Sequence, residues 1–321
     1  MAEVRRAAVA RAQPACWSIV VETGLRRARS PFSMRYRPLA AFLALSLLWG
    51  SGWILRASSP AQPPLRSLAI QYGIAAVILL PWAMYRRLWR RPLRSIASTV
   101  SVGIGVLCLP QLLIFAGEGH VPPPISIVFL AAVPVFLAIS GRLAITTAVG
   151  GLAGVLFLLD RSLDISMRQL PWLFFPFGAA CVLAWALAGA EKHMRAMSIA
   201  EALFGQCVAS ALLLFITSQL FENEAVTWSA MAATSFAVNA ALATVCGYLF
   251  FYGLLGTSGA GRASMLQWTQ PLVAAAESML LMRLRPDWTV IAGATLIVIA
   301  VGWAFSNRED ERGVIFEITR S

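Results

Sequence analysis

The sequence predicts an all-α polytopic membrane protein with ten transmembrane helices in two inverted five-helix repeats. Three observations lead to this prediction. First, 59% of the 321 residues are hydrophobic and only 13% are charged, which is about half the charged fraction of soluble proteins. Second, the apolar residues form near-continuous runs rather than the alternating pattern of a membrane β-barrel. Third, the two halves of the chain match each other at an offset of 136 or 137 residues.

Ten apolar runs have the length that a helix needs to cross a bilayer, about 20 residues. They lie at about 39–56, 66–85, 97–117, 122–140, 143–159, 171–190, 199–219, 231–256, 263–282 and 288–306. The first five spans form a repeat over residues 39–160, and the last five form a second repeat over 171–306. Residues 1–38 are rich in Arg and Pro, so we expect a disordered cytoplasmic tail, with Met34 as an alternative native start. Residues 307–321 form a second cytoplasmic tail.

The basic residues indicate that both termini lie in the cytoplasm. With the spans alternating, twenty of the 26 Lys and Arg residues lie on the inner side. The six on the outer side are Arg56, Arg66, Arg161, Arg168, Arg283 and Arg285. This bias follows the positive-inside rule, so membrane orientation explains the net charge of +11 and nucleic-acid binding is not expected. The basic cluster from Arg86 to Arg91 should lie at the membrane surface beside anionic lipid.

The internal match occurs at three separate places. Trp49, Phe115 and Pro134 of the first half correspond to Trp185, Tyr252 and Pro271 of the second. Since each half has an odd number of spans, the second copy must enter the membrane in the opposite sense. Inverted repeats are typical of secondary transporters, in which the substrate binds near the membrane midplane at the interface between the repeats.

The same regions resemble a known family. The similarity rests on Leu47-Leu-Trp-Gly-Ser51 in span 1, Pro63-Pro-Leu-Arg-Ser-Leu before span 2, the two matched prolines, and the run Gly293–Gly302 in span 10. These features are similar to the drug/metabolite transporter superfamily, in particular its EamA-domain members. The resemblance implies ten helices in two inverted repeats, and an exporter of small polar metabolites or amino acids that works by alternating access. It also implies that spans 5 and 10 serve as scaffold or as the contacts of a homodimer.

Two features depart from the family pattern. Gln71 stands where members often carry an Arg in the second helix. The hairpins that end the repeats read Gly141-Arg142 and Met282-Arg283, where members usually have a Gly-Glu pair. The stretch from Pro134 to Arg142 is also shorter than the stretch from Pro271 to Arg283, by about one helical turn. We therefore expect spans 4 and 5 to be short and joined by almost no loop.

Polar residues on span 9 indicate where a substrate would bind. Ser264, Gln267, Gln270 and Glu277 share one face of a helical wheel. Such a stripe should face protein or a wet cavity, since lipid offers no hydrogen-bond partner. Amide groups both donate and accept, which suits a zwitterion or a polar metabolite, although hydrogen bonding between helices is the alternative explanation. The candidate cavity residues are Trp49, Gln71, Tyr72, Trp185, Asn239, Tyr248, Tyr252, Gln267, Trp268 and Gln270.

Glu277 is the clear carboxylate predicted well inside a span. Burying its charge is costly, so this side chain should be paired, protonated or in contact with water. One interpretation is a proton-coupling or cation-recognition site. The alternative is a residue near the outer end of span 9 that reaches the interface or pairs with Arg283.

Other classes of function have less support in the sequence. A membrane-embedded enzyme would need paired carboxylates, a Ser-His pair or a metal site at depth. The sequence contains no His-Glu-x-x-His motif, no nucleophile elbow and no metal-ligand spacing of its cysteines. We therefore predict no catalytic residues, no cofactor and no metal, with a small-molecule substrate and the lipid bilayer as partners. An accessory membrane subunit that does not transport is the remaining alternative.

Overall fold

The described part of the chain is helical, and no strand occurs in it. The computed structural model describes residues 31–51, 62–88, 91–160, 163, 166–193, 198–283 and 285–306. The helices are α1 (Pro31–Gly50), α2 (Pro64–Tyr85), α3 (Leu93–Gly117), α4 (Pro123–Ile139), α5 (Ile145–Leu159), α6 (Phe174–His193), α7 (Ile199–Phe221), α8 (Ala230–Ser264), α9 (Leu266–Met282) and α10 (Trp288–Ser306). By its contacts the chain divides into two compact units, Met1–Ala40 and Ala41–Ser321, and the site described below lies wholly in the second.

Among the described residues, six helical segments are long and apolar enough to cross a membrane. These are α2, α3, α7, α8, α10 and the segment Met167–Glu191, which includes most of α6. The segment Pro38–Gly50 of α1 and the helices α4 and α5 are apolar but shorter. The helices follow the order of the ten predicted spans, and α5, with 15 residues, is as short as expected.

The predicted amino-terminal boundary differs from the structure. Residues 1–30 and 307–321 lie outside the described residues, so the predicted tails are untested there. However, α1 begins at Pro31 rather than near residue 39. Proline is well tolerated at the start of a helix because its missing N–H would have no intrahelical partner there. The hypothesis that Met34 is the native start stays a prediction.

The third helix of each half contains a π-helical segment. These segments are Ile104–Cys108 in α3 and Asn239–Cys246 in α8. π-Helical turns widen a helix locally and are frequent at functional sites. In this protein both segments contribute residues to the inner cavity described below.

The fourth helix of each half is also interrupted. In the first half, α4 is interrupted at Ala132, which separates Pro123–Ala131 from Val133–Ile139. In the second half, α8 turns sharply at Gly259, whose φ of 79° favours glycine. The fourth helix of this half consists of the end of α8 after that turn and of α9, and Met265 interrupts it. Residues on both sides of the Met265 break, Ser264 and Gln267, line the inner cavity described below.

Two glycines allow α5 and α10 to pack in backbone contact. A Cβ atom on Gly154 would lie 2.9 Å from the carbonyl oxygen of Gly293. A Cβ atom on Gly293 would lie 2.6 Å from the carbonyl oxygen of Gly154. Since membrane helices associate through close packing of small residues, this contact should be a major source of stability.

We expect Gly154→Leu to destabilise the protein by about 3 kcal/mol, because the new side chain would force α5 away from α10. Gly150→Leu is the matched control on the same helix, since nothing lies within 4 Å of a Cβ atom at Gly150. The melting temperatures of the two purified variants in detergent measure the difference. Equal melting temperatures for the two variants would contradict the close packing of α5 and α10.

Candidate functional site

Two adjoining cavities lie between the two halves of the chain. The wider one, which we call the vestibule, has a volume of about 460 Å³. The deeper one, which we call the inner cavity, has a volume of about 220 Å³. The side chains that line both are Leu68, Gln71, Gln111, Ile114, Leu130 and Asn239. The vestibule and the inner cavity therefore form one path into the bundle.

The vestibule lies at the end of the bundle where α2, α4 and α8 begin and α3 ends. Gln62, Glu118 and Val121 line it there, and Glu118 is exposed. We call this the mouth end. The opposite end, where α5 and α7 begin, is called the closed end.

Side-chain amides dominate the polar surface of the inner cavity. They belong to Gln71, Gln111, Asn239, Gln267 and Gln270. Gln71 donates a hydrogen bond of 2.8 Å to the Thr244 hydroxyl, and Asn239 donates one of 2.9 Å to the Ser235 carbonyl. In contrast, the amides of Gln111, Gln267 and Gln270 have no hydrogen-bond partner among the described residues. These three amides are therefore available to bind a ligand.

Aromatic residues form another part of the wall, and the π-helical segments hold them in place. The Trp49 indole N–H donates to the carbonyl of Ala243 at 2.9 Å. The Tyr72 hydroxyl donates to the carbonyl of Leu107 at 3.2 Å. Ala243 and Leu107 lie in the two π-helical segments. The ring of Trp49 also lies 5.1 Å from that of Tyr248, measured between centroids.

Trp49 fits against α8 because residue 247 is glycine. A Cβ atom on Gly247 would lie 3.1 Å from Cε2 of the indole ring, closer than most such contacts allow. The position of Trp49 in the wall therefore depends on a small residue of the second half.

Three aromatic residues that the sequence analysis assigned to the cavity lie elsewhere. Trp185 is 72% exposed on the outer surface of α6, because Leu183 and Leu187 on the opposite face line the cavity instead. Tyr252 is buried and donates a 2.7 Å hydrogen bond to Gln206. Trp268 is also buried, and its indole donates to the carbonyl of Ala131 at 2.8 Å. Tyr252 and Trp268 therefore belong to the packed core. Trp49 and Trp185 match in the two halves of the sequence, but Trp49 lines the inner cavity whereas Trp185 lies on the outer surface.

Glu277 lies on α9 outside both cavities. It follows Gln270 by two turns toward the mouth end, about 10 Å along the helix axis. The Ser51 hydroxyl donates a short hydrogen bond to its Oε1 atom. Its Oε2 atom is buried and has no partner among the described residues, so the expected alternative of an ion pair with Arg283 is not found there.

Contacts between the two halves seal the closed end. Arg142, in the turn between α4 and α5, forms an ion pair with Glu191 of α6, with 3.6 Å between Nε and Oε2. The same turn touches α8, where a Cβ atom on Gly261 would lie 2.8 Å from the carbonyl carbon of Arg142. Within the second half, Arg262 of α8 donates to the carbonyl of Ala304 of α10 at 2.8 Å. The turn between α4 and α5 thus packs against α6 and α8 at this end.

Gln111 and Thr244 are site residues that the sequence analysis missed. Gln111 follows Pro110 in the second half of α3, where the neighbouring residues are apolar, and such an isolated amide was a usable signal. None of the described residues that line the inner cavity carries a formal charge. No group of three His, Cys, Asp or Glu side chains suited to a metal occurs among the described residues. The inner cavity thus offers amides, hydroxyls and aromatic rings, which suit a neutral or zwitterionic ligand.

Comparisons with known proteins agree with this architecture. The model of the EamA-like transporter family matches two segments, residues 37–159 and 170–306, which are two copies of one domain. A solved structure, described only as "Crystal structure of protein", superposes with a TM-score of 0.72. That superposition covers 86% of this chain and 99% of the other, at 16% sequence identity, so the likeness shows the fold alone. No curated protein matches the chain.

Proposed function

The chain belongs to the EamA-like transporter family, and from this premise we propose that it exports small polar metabolites or amino acids. It is an integral membrane protein of the drug/metabolite transporter type with two EamA repeats. The amide-lined inner cavity between the repeats is the observation that carries the proposal. Three amides without a hydrogen-bond partner, in a cavity whose described lining residues carry no formal charge, would bind a neutral or zwitterionic polar molecule more readily than an ion.

The proposal includes the arrangement in the membrane. All ten helices cross the membrane, and the second repeat, residues 171–306, is inverted relative to the first, residues 39–160. The closed end carries Arg86, Arg87, Arg91, Arg94, Arg142 and Arg262. The positive-inside rule therefore assigns the closed end and both chain termini to the cytoplasm of the inner or plasma membrane. A homodimer would form through the exposed apolar side chains of α10, such as Val298 and Trp303.

Transport would proceed by alternating access. With the mouth end outside, the observed arrangement corresponds to an outward-open state, and the opposite state requires opening of the closed end. The ion pair between Arg142 and Glu191 would then break as the turn between α4 and α5 separates from α6 and α8. Gly259 and the two π-helical segments are among the places where the backbone departs from a regular helix, and it would bend there.

Cross-linking the closed end is expected to stop exchange of substrate. The double variant carries Arg142→Cys and Glu191→Cys, and a short reducible cross-linker joins the two cysteines. Cross-linking should lower exchange in proteoliposomes by at least about tenfold, because the closed end can no longer open. Reduction of the linker should restore the activity. Full exchange in the cross-linked protein would contradict alternating access through this end. A double variant with Met84→Cys and Leu80→Cys, both within α2, controls for the effect of the reagent.

Uptake and exchange of labelled amino acids and polar metabolites by the purified protein in liposomes tests the proposed function as a whole. Uptake into everted membrane vesicles tests the direction of transport, since an exporter accumulates its substrate inside such vesicles.

A further inference from the structure

We propose that the closed end holds one anionic phospholipid, whose acyl chain occupies an apolar cleft and whose phosphate binds two arginines. The cleft lies between α2, α3 and α7 and has a volume of about 260 Å³. The side chains that line it are Leu80, Ala83, Met84, Leu88, Ile96 and Phe204. It shares no lining residue with the vestibule or the inner cavity, so this site is separate from the proposed transport path.

The cleft opens on the membrane-facing surface of the bundle. Leu80 is 42% exposed and Met84 is 55% exposed at its rim, whereas Ala83 and Leu88 are buried against Phe204 as its floor. All six lining residues are apolar. A cleft of this composition excludes water and accepts a hydrocarbon chain.

Two positive charges next to the cleft are left without a counter-ion. Arg86 and Arg91 approach Glu201, whose side chain is fully buried, at 3.6 Å and 3.3 Å. Arg87 and Arg94 are exposed and have no carboxylate partner among the described residues. Glu201, the carboxylate that the described residues bring to this cluster, is therefore already paired with Arg86 and Arg91.

The backbone ties the two unpaired arginines to the cleft. Arg87 directly precedes Leu88 of the floor, and its φ of 53° ends α2 with a sharp turn. Arg94 lies in the first turn of α3, two residues before Ile96 of the wall. An anionic headgroup at the membrane surface would meet both guanidinium groups while its acyl chain enters the cleft.

Charge and shape together favour a lipid over a soluble anion. Arginine binds phosphate oxygens in a bidentate geometry, and clusters of basic residues at the cytoplasmic surface attract anionic lipids. A soluble phosphate would use the arginines but would leave the apolar cleft unoccupied. The bound lipid would contact α2 of the first repeat and α7 of the second.

The test is native mass spectrometry of the full-length protein in detergent, titrated with phosphatidylglycerol or phosphatidylcholine. The Arg87→Gln/Arg94→Gln double variant should bind phosphatidylglycerol about thirty-fold more weakly than the unmodified protein, since each arginine near a membrane surface contributes about 1 kcal/mol. Arg283→Gln/Arg285→Gln, which removes two exposed arginines at the mouth end, is the matched control and should bind normally. Leu80→Trp, which fills the cleft from its exposed rim, should also lose phosphatidylglycerol.

Several results would overturn the proposal. Unchanged binding of phosphatidylglycerol by the Arg87→Gln/Arg94→Gln variant would show that these arginines do not hold the headgroup. Equal weakening by the two double variants would indicate general attraction by surface charge. Equal retention of phosphatidylcholine by the unmodified protein would remove the selectivity for anionic lipid. Normal binding by Leu80→Trp would show that the cleft does not hold the acyl chain.

Discussion

Replacing Gln270 by Ala is expected to lower substrate exchange by about fivefold to a hundredfold, because a polar ligand group left without its partner in a desolvated site costs about 1–3 kcal/mol. The Gln270 amide lines the inner cavity and has no partner among the described residues. Its truncation therefore removes a group available to the substrate without breaking a hydrogen bond of the described structure. Exchange of the labelled substrate in proteoliposomes, measured at equal protein density, gives the effect.

Trp185→Ala provides the control for this experiment. Trp185 is a larger side chain, was assigned to the cavity by the sequence pattern, and is 72% exposed on the outer surface. Its removal should leave exchange unchanged. If Trp185→Ala abolished exchange and Gln270→Ala did not, the inner cavity would not be the substrate site.

Replacing Glu277 by Gln is expected to abolish the pH dependence of transport while leaving the yield of folded protein intact. A carboxyl group can take up and release a coupling proton, whereas an amide of nearly the same shape cannot. The observation behind this expectation is the buried Oε2 atom, which has no partner among the described residues. Initial rates of exchange across a range of external pH measure the effect.

A second carboxylate serves as the control for Glu277. Glu118 lines the vestibule but is exposed to solvent, so Glu118→Gln should retain the pH dependence of the unmodified protein. Unchanged pH dependence in Glu277→Gln would refute the coupling role. The hydrogen bond from Ser51 would then indicate that Glu277 serves to hold the end of α1 against α9.

The order of the helices could be predicted because apolar length is a local property of the sequence. The runs that gave spans 2 and 10 correspond closely to α2 and α10, for example. The start of α1 at Pro31 could not be predicted in the same way. Pro38 lies in the interior of α1, and because an interior proline usually breaks or kinks a helix, the sequence favoured a helix that starts after it.

The inward faces of the helices were predicted only in part. Gln267 and Gln270 were found because they share a stripe on one regular helix, and both line the inner cavity. Trp185 and Tyr252 could not be assigned correctly, since tertiary packing decides which face of an apolar helix turns inward. The π-helical segment Asn239–Cys246 also changes the register of α8, so a regular helical wheel fails along that helix.

The most direct test of the transporter assignment is counterflow in proteoliposomes. Purified protein is reconstituted into liposomes, and each batch of liposomes is loaded with one unlabelled compound. The compounds come from a panel of amino acids and small polar metabolites. The entry of the labelled form of the same compound is then followed. We expect transient accumulation of one compound, competition by its chemical relatives, and loss of the signal in Gln270→Ala. Absence of counterflow across the whole panel, with protein shown to be folded by its melting transition, would contradict transport of this substrate class.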